Sequence, residues 1–197
     1  PLTAQLQQEG AELFFEASSG LIPSYCRCPE ETLVVYTPAI PDEHEGLQYF
    51  RNNGFEIIKR AKLLGLITHS LQGLCFAGTH GKTTTSSMAA HIFAQSSVGC
   101  NAFLGGILRN YDTNLILSQE SRYAIIEADE FDRSFHQLLP HIAVVTSTDA
   151  DHLDIYGTEE AYLESFAHFT SLIQPGGVLI VKQGIKLQPR VQEGVKV

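Results

Sequence analysis

Basic residues are scarce in this chain. Against 22 Asp and Glu it carries 13 Lys and Arg, a formal charge of -9, and no basic face is visible, which argues against a nucleic-acid partner gripped through its phosphates. An anionic ligand must then be held by local geometry, because the overall field repels it. Charged residues of both signs make up only 18% of the chain and apolar residues 44%, the balance of a folded globular protein and not of a disordered tail. No apolar run approaches the roughly 18 residues of a membrane span. The opening Pro1-Leu2-Thr3-Ala4-Gln5 reads neither as a signal peptide nor as a basic leader, so the expectation is a cytoplasmic protein with no membrane partner. The four cysteines, Cys26, Cys28, Cys75 and Cys100, lack zinc-site spacing, and free, mostly buried thiols are expected. Internal repeats and low-complexity tracts are absent. At 197 residues the length suits one large domain or two small ones.

The character of the chain changes near residue 70. Before it, helical and strand-like stretches alternate: Leu2 to Glu9, Ala11 to Ala17, Leu33 to Tyr36, a polar stretch from Asp42 to Asn53, Phe55 to Ile58, and Arg60 to Leu66. Strand and helix in alternation is the signature of a parallel α/β sheet. The series starts with a helix that no Gly-rich strand-to-helix turn precedes, so a nucleotide-binding unit here would lack its first strand and phosphate loop. After residue 70 come four short apolar runs, Leu74 to Ala77, Tyr123 to Ile126, Ile142 to Val145 and Val178 to Val181, which read as buried parallel strands. Helical periods occupy Thr83 to Ala94 and Glu159 to Ile173 between them.

The strongest chemical signal is Gly78-Thr79-His80-Gly81-Lys82-Thr83-Thr84, directly behind the first apolar run and ahead of a helix. Glycines let backbone N–H groups converge on phosphate oxygens, and the helix N-terminus adds partial positive charge. Lys82 can reach the β- and γ-phosphates of ATP, and the Thr83 hydroxyl can ligate Mg²⁺. The usual glycine five positions before Gly81 is replaced by Phe76, so the loop is a short variant. A Gly-Lys-Thr or Gly-Lys-Ser triplet alone arises by chance in roughly one chain in ten of this length; the strand before it, the helix after it and the second glycine supply the specificity.

Two further strands end in groups suited to a cation. Tyr123 to Ile126 runs into Glu127, and Ile142 to Val145 into Thr146-Ser147-Thr148-Asp149-Ala150-Asp151-His152. Ligands of open α/β sheets bind beyond the carboxyl ends of the strands, so Thr83, Glu127 and His152 can meet in one crevice. A carboxylate beside phosphates implies a cation between them. Lys82, Glu127 and His152 are therefore the candidate catalytic residues, and Thr83, Glu127 and His152 the candidate metal ligands. The acidic run Asp129, Glu130 and Asp132 reads as a solvated loop, with Asp129 and Glu130 near enough to support the site from behind. Asp151 and Asp154 could orient His152 or stay hydrated, and His136 and His141 read as structural. Gly105-Gly106 suggests either a close backbone approach or a plain turn.

At these residues the chain resembles the Mur ligases, the ATP-dependent amide-forming enzymes of bacterial peptidoglycan synthesis. Phe76 to Thr85 is similar to the family's phosphate loop, Glu127-Ala128-Asp129-Glu130 to its metal-binding strand end, and Asp149 to Asp154 with Tyr156-Gly157 to its second metal motif. The loop histidine, the Glu-Ala-Asp-Glu string and Phe135 to Pro140 look most like the branch that joins L-alanine to UDP-N-acetylmuramate. Sibling branches often carry a carbamylated lysine on the helix after the histidine motif, and Glu159 to Ile173 has no lysine. The nearest rival branch reattaches a recovered tripeptide to UDP-N-acetylmuramate.

The resemblance implies residues 1–69 as the later part of an N-terminal Rossmann-like UDP-sugar-binding domain and 70–197 as the earlier part of a parallel-sheet, P-loop central ATP-binding domain, with ATP and Mg²⁺ as cofactors. A fragment inactive by itself is expected. From another class, a non-catalytic nucleotide-binding regulatory switch remains, although a GTP switch would carry Asn-Lys-x-Asp where this chain reads Thr146-Ser147-Thr148-Asp149.

Overall fold

In a computed structural model the chain is described at residues 2–16, 18–37 and 39–197, and it divides into two compact units between Arg60 and Ala61. The first unit holds helix α1 (Leu2–Gln8), strand β1 (Leu33–Tyr36), helix α2 (Glu45–Asn52) and strand β2 (Glu56–Lys59). The two strands pair in parallel, Leu33 opposite Glu56 and Tyr36 opposite Lys59. The side chain of His44 caps α2 by accepting from the Leu47 N–H, which satisfies one of the free donors at a helix start. The stretch Ala11–Glu16, expected to be regular, has no helix or strand; Ala17 lies outside the described residues.

The second unit takes in helix α3 (Arg60–His69) from Ala61 onward, a stretch expected in the first domain. The chain divides nine residues earlier than the expected boundary at 69/70 because α3 is packed into the second unit. Its Leu64, and Leu71 just beyond it, rest on that unit's core, and a Cβ at Gly65 would collide with the carbonyl of Gln137. Then follow β3 (Gln72–Ala77), α4 (Lys82–Ala94), β4 (Asn101–Leu108), β5 (Thr113–Ile116), β6 (Tyr123–Glu127), a 3-10 segment (Phe131–Gln137), β7 (Pro140–Val145), α5 (Leu153–Tyr156), α6 (Glu159–Ser171) and β8 (Val178–Val181).

The six strands form one sheet in the order β5-β4-β6-β3-β7-β8. All neighbours are parallel except the edge pair β4 and β5. That antiparallel pair was not anticipated; a turn at Gly105-Gly106 was one of the two readings of that pair, and both glycines lie inside β4.

Alternation along β3 explains two hydrophobic layers, since successive side chains point to opposite faces. Cys75 and Ala77 join Ala124, Ile126, Phe135, Tyr162, Phe166 and Phe169 on one side. Leu74 and Phe76 join Ala90, Ala102, Leu104 and Ile125 on the other. A sheet covered on both faces needs continuous apolar strands, and β3 is buried from Gly73 to Ala77. All four cysteines are free; Cys75 and Cys100 are buried, Cys28 is exposed and Cys26 lies between. Burial pushes the Cys75 thiol well above its ordinary range. Among the described residues no helix is long and apolar enough to cross a membrane.

Candidate active site at the phosphate loop

Central position in the sheet places the loop after β3 between the carboxyl ends of β6 and β7. Gly81, at φ +86°, caps α4 in the left-handed region that glycine adopts without strain. Gly78 has φ +134°, and a Cβ there would lie 2.8 Å from Ser147 N and strike the Thr146 hydroxyl. Both glycines are thus required by geometry.

On the β7 side, neutral groups shape the loop. Thr146 Oγ1 donates to His80 O at 2.6 Å and lies 3.1 Å from Ala77 O, and the His80 N–H donates to Ser147 Oγ at 2.7 Å. The Thr79 N–H donates to Ser147 O at 3.3 Å, and Thr79 Oγ1 donates to Asp149 O at 2.7 Å. The same hydroxyl lies 2.8 Å from the phenol oxygen of Tyr162, whose proton affinity is raised chiefly by burial. The His80 ring is largely exposed, 3.8 Å from Asp149 Oδ2, and Thr84 is exposed in the first turn of α4.

On the β6 side the contacts run through carboxylates. Thr83 Oγ1 donates to Glu127 Oε1 at 2.7 Å, and the Gly105 N–H donates to Glu127 Oε2 at 2.8 Å. A Cβ at Gly105 would fall 2.7 Å from that carboxylate, so the glycine pair in β4 is a close backbone approach and not a turn. Lys82 Nζ donates to Gly78 O at 2.8 Å and to Glu130 Oε1 at 2.9 Å. Glu130 is 1% exposed, which corrects the expectation of a solvated acidic run: the Tyr156 hydroxyl donates to its backbone carbonyl at 2.5 Å and draws this part of the run inward. Asp129 remains exposed, its carboxylate accepting from the Phe131 N–H.

The expected trio is therefore joined in part. Thr83 and Glu127 touch directly. His152, in the loop after β7, has its ring edge-on to Phe131 at 5.3 Å and 3.9 Å from Asp151 Oδ2, while its N–H donates to Asp151 Oδ1. Asp151 thus holds the backbone of His152, while its carboxylate lies beyond hydrogen-bond distance of the ring. His136 is structural: Ser165 O and Oγ lie 2.9 and 3.0 Å from its Nε2.

Among the described residues no three His, Cys, Asp or Glu side chains gather into a metal cage. A hydroxyl and a carboxylate 2.7 Å apart instead fit Mg²⁺, which takes one or two protein oxygens and fills the remaining positions with phosphate and water. Sequence reasoning missed three things: the direct grip of Glu130 on Lys82, the hold of Thr146 and Ser147 on the loop backbone, and the Gly105 N–H on Glu127. The glycine pair was the one visible signal for the last.

Comparison with known proteins places this geometry in a family. Residues 76–196, well over half of the chain, match the Mur ligase middle domain. The chain belongs to the Mur ligase family. Among curated Mur ligases it is similar to the UDP-N-acetylmuramate--L-alanine ligase of Phocaeicola vulgatus, 65% identical over 99% of this chain and 43% of that protein. With the protein of the same name from Parabacteroides distasonis it shares 62% identity over 99% of this chain and 42% of the relative. The chain thus spans about 43% of the length of the curated relatives it matches. Two solved Mur ligases share its fold. The UDP-N-acetylmuramate:L-alanyl-gamma-D-glutamyl-meso-diaminopimelate ligase from Neisseria meningitides has a TM-score of 0.82 at 20% identity, over 98% of this chain and 66% of that one. The UDP-N-acetylmuramate-alanine ligase from Thermotoga maritima has a TM-score of 0.78 at 24% identity, over 93% of this chain and 41% of that one.

Proposed function

We propose that this chain is part of an ATP-dependent ligase of peptidoglycan precursor synthesis that joins L-alanine to UDP-N-acetylmuramate in the cytoplasm. The contact of Thr83 with Glu127 beside the loop lysine carries the reading, supported by 65% identity to a ligase of that name. Residues 1–69 then belong to the UDP-sugar domain and 70–197 to the ATP-binding domain. The first unit's cavity of about 530 Å³, lined by Phe14, Phe15, Tyr25, Tyr36, His44 and Phe50 among others, suits a domain that takes a large ligand.

A carboxylate is too poor an acyl donor to meet an amine directly. The γ-phosphoryl group of ATP passes to the muramoyl carboxylate, giving an acyl phosphate and ADP; the alanine amine then attacks the acyl carbon, loses its proton, and phosphate leaves. Phosphoryl transfer asks a protein chiefly for positioning and charge neutralisation, and no protein nucleophile is needed. Gly78, Thr79, His80, Gly81 and Thr84 cradle the triphosphate, and Lys82 neutralises its β- and γ-oxygens. Thr83 and Glu127 would hold one Mg²⁺, with His152 and Glu127 serving a second; the ion supplies charge neutralisation of the phosphates.

Phosphate release by the full-length protein given UDP-N-acetylmuramate, ATP, Mg²⁺ and L-alanine tests this. Release that requires both the sugar nucleotide and L-alanine is expected. Preference for the tripeptide L-alanyl-γ-D-glutamyl-meso-diaminopimelate would move the reading to the rival branch, and release indifferent to any amine acceptor would overturn it.

A further inference from the structure

The lysine that should meet the triphosphate is engaged by the protein's own groups. Its ammonium donates to Gly78 O and to the Glu130 carboxylate, which is fully buried while the Lys82 side chain is 14% exposed. The other carboxylate oxygen, Glu130 Oε2, lies 2.8 Å from Nζ yet has no hydrogen bond, so the ion pair with Lys82 is the principal compensation for this buried charge. Behind it the Tyr156 hydroxyl fixes the backbone of Glu130, and Ser165 and the Arg133 guanidinium contact Tyr156 in turn. The carboxylate therefore stands on a packed support and is not a loose surface group.

Two physical consequences follow from that placement. A buried charge that loses its partner is strongly disfavoured, so moving Lys82 to the phosphates costs whatever Glu130 gains from it. A carboxylate at the loop also repels an arriving triphosphate. Both effects oppose nucleotide binding, and both favour recapture of the lysine when the nucleotide leaves.

We propose that Glu130 is a positioning residue that holds Lys82, and that the triphosphate binds by exchange, taking the ammonium from Glu130. This deepens the ligase reading and rests on it for the identity of the triphosphate. Replacing Glu130 by Gln then has two opposite effects. Without nucleotide the protein loses stability, because Lys82 lacks its counter-charge; with nucleotide, phosphate supplies that charge and the affinity rises.

Calorimetric titration of the full-length protein with ATP and Mg²⁺, in parallel with thermal melts, tests the exchange. For Glu130→Gln the expected result is a dissociation constant lower by about tenfold, the order of a charge-assisted hydrogen bond, with a lower Tm in the empty protein, a larger rise in Tm on adding ATP, and slower ADP release. A merely structural glutamate would lose stability and affinity together, and unchanged or weaker ATP binding by folded Glu130→Gln overturns the proposal. Should that variant fail to fold, Glu130→Asp keeps the charge but withdraws it by one methylene; its affinity must move in the same direction by a smaller step, and no gain there also overturns the proposal. Exchange with intact ATP binding but no alanine-dependent phosphate release would sink the ligase reading and leave the exchange standing. Intact ligation without any affinity gain would do the reverse.

Discussion

The two flanks of the phosphate loop are built from different chemistry. On the β6 flank, carboxylates hold side chains: Glu127 takes the Thr83 hydroxyl and Glu130 the Lys82 ammonium. On the β7 flank, hydroxyls hold backbone: Thr146 reaches the carbonyls of Ala77 and His80, and Ser147 takes the His80 N–H. Groups proposed to pass to a ligand are held by partners that a phosphate or a cation can replace. Atoms that must stay still are held by neutral hydrogen bonds that a ligand does not compete for. A loop gripped by charge on both sides would be deformed by the charged ligand it binds.

The largest blow to that division is Lys82→Ala. It removes the charge proposed to travel to the phosphates, and a loss of turnover of about 10³-fold is expected in a phosphate-release assay, the scale of losing a donor at a charge-developing centre. The substitution also leaves Glu130 buried and unpaired, so the midpoint of denaturant unfolding should fall by the equivalent of about 3 kcal/mol. Glu127→Ala comes next: turnover down by about 10²-fold, with partial recovery at raised Mg²⁺ concentration. Recovery without Mg²⁺ dependence would argue against the pairing of Thr83 and Glu127 as a cation seat.

Gly105→Ala probes the same flank more gently. Its Cβ would lie 2.7 Å from Glu127 Oε1 and must push the carboxylate off Thr83, for a rate loss of roughly tenfold given the steepness of catalysis with position. Thr146→Val tests the β7 flank. The carbonyls of Ala77 and His80 lose a donor, at a cost of about 1–2 kcal/mol in unfolding free energy, with ATP affinity changed only a few-fold. A Thr146→Val effect on ATP affinity as large as that of Lys82→Ala would erase the distinction between the flanks.

The smallest effect concerns acid. Burial, with the charges of His168 and Arg133, holds His136 below its ordinary 6.5 despite the opposing Ser165 carbonyl. A histidine whose folded value is depressed favours the neutral form, so its contribution to stability is present above the unfolded value and is lost as pH falls through the folded one. Thermal melts between pH 8 and pH 5 should show Tm declining on the acid side of 6.5, with a shallower decline in His136→Gln.

Legibility in the sequence followed the range of the interaction. The strands β3, β6, β7 and β8 announce themselves as apolar runs, and α4 and α6 by period, because burial on two faces imposes composition directly. The loop Gly78 to Thr84 was readable because its chemistry is local. What escaped depends on pairs far apart in the chain: Glu130 lies 48 residues from Lys82 and Gly105 lies 22 from Glu127. Glu130 looked solvated because its immediate neighbours are acidic; its burial comes from Tyr156, 26 residues on. That α3 packs with the second compact unit was not legible either, because Gly65 gives no sign, within its own helix, of the Gln137 carbonyl that passes against it.

The most direct test is a crystal structure of the full-length protein with Mg²⁺ and a non-hydrolysable ATP analogue. The account predicts the β- and γ-phosphates in the loop, Lys82 Nζ within hydrogen-bond distance of them and released from Glu130, and Mg²⁺ seated between Thr83 Oγ1 and Glu127 at about 2.1 Å from each oxygen. Triphosphate bound elsewhere, or seated in the loop with the Lys82–Glu130 and Thr83–Glu127 contacts both unchanged, would contradict it.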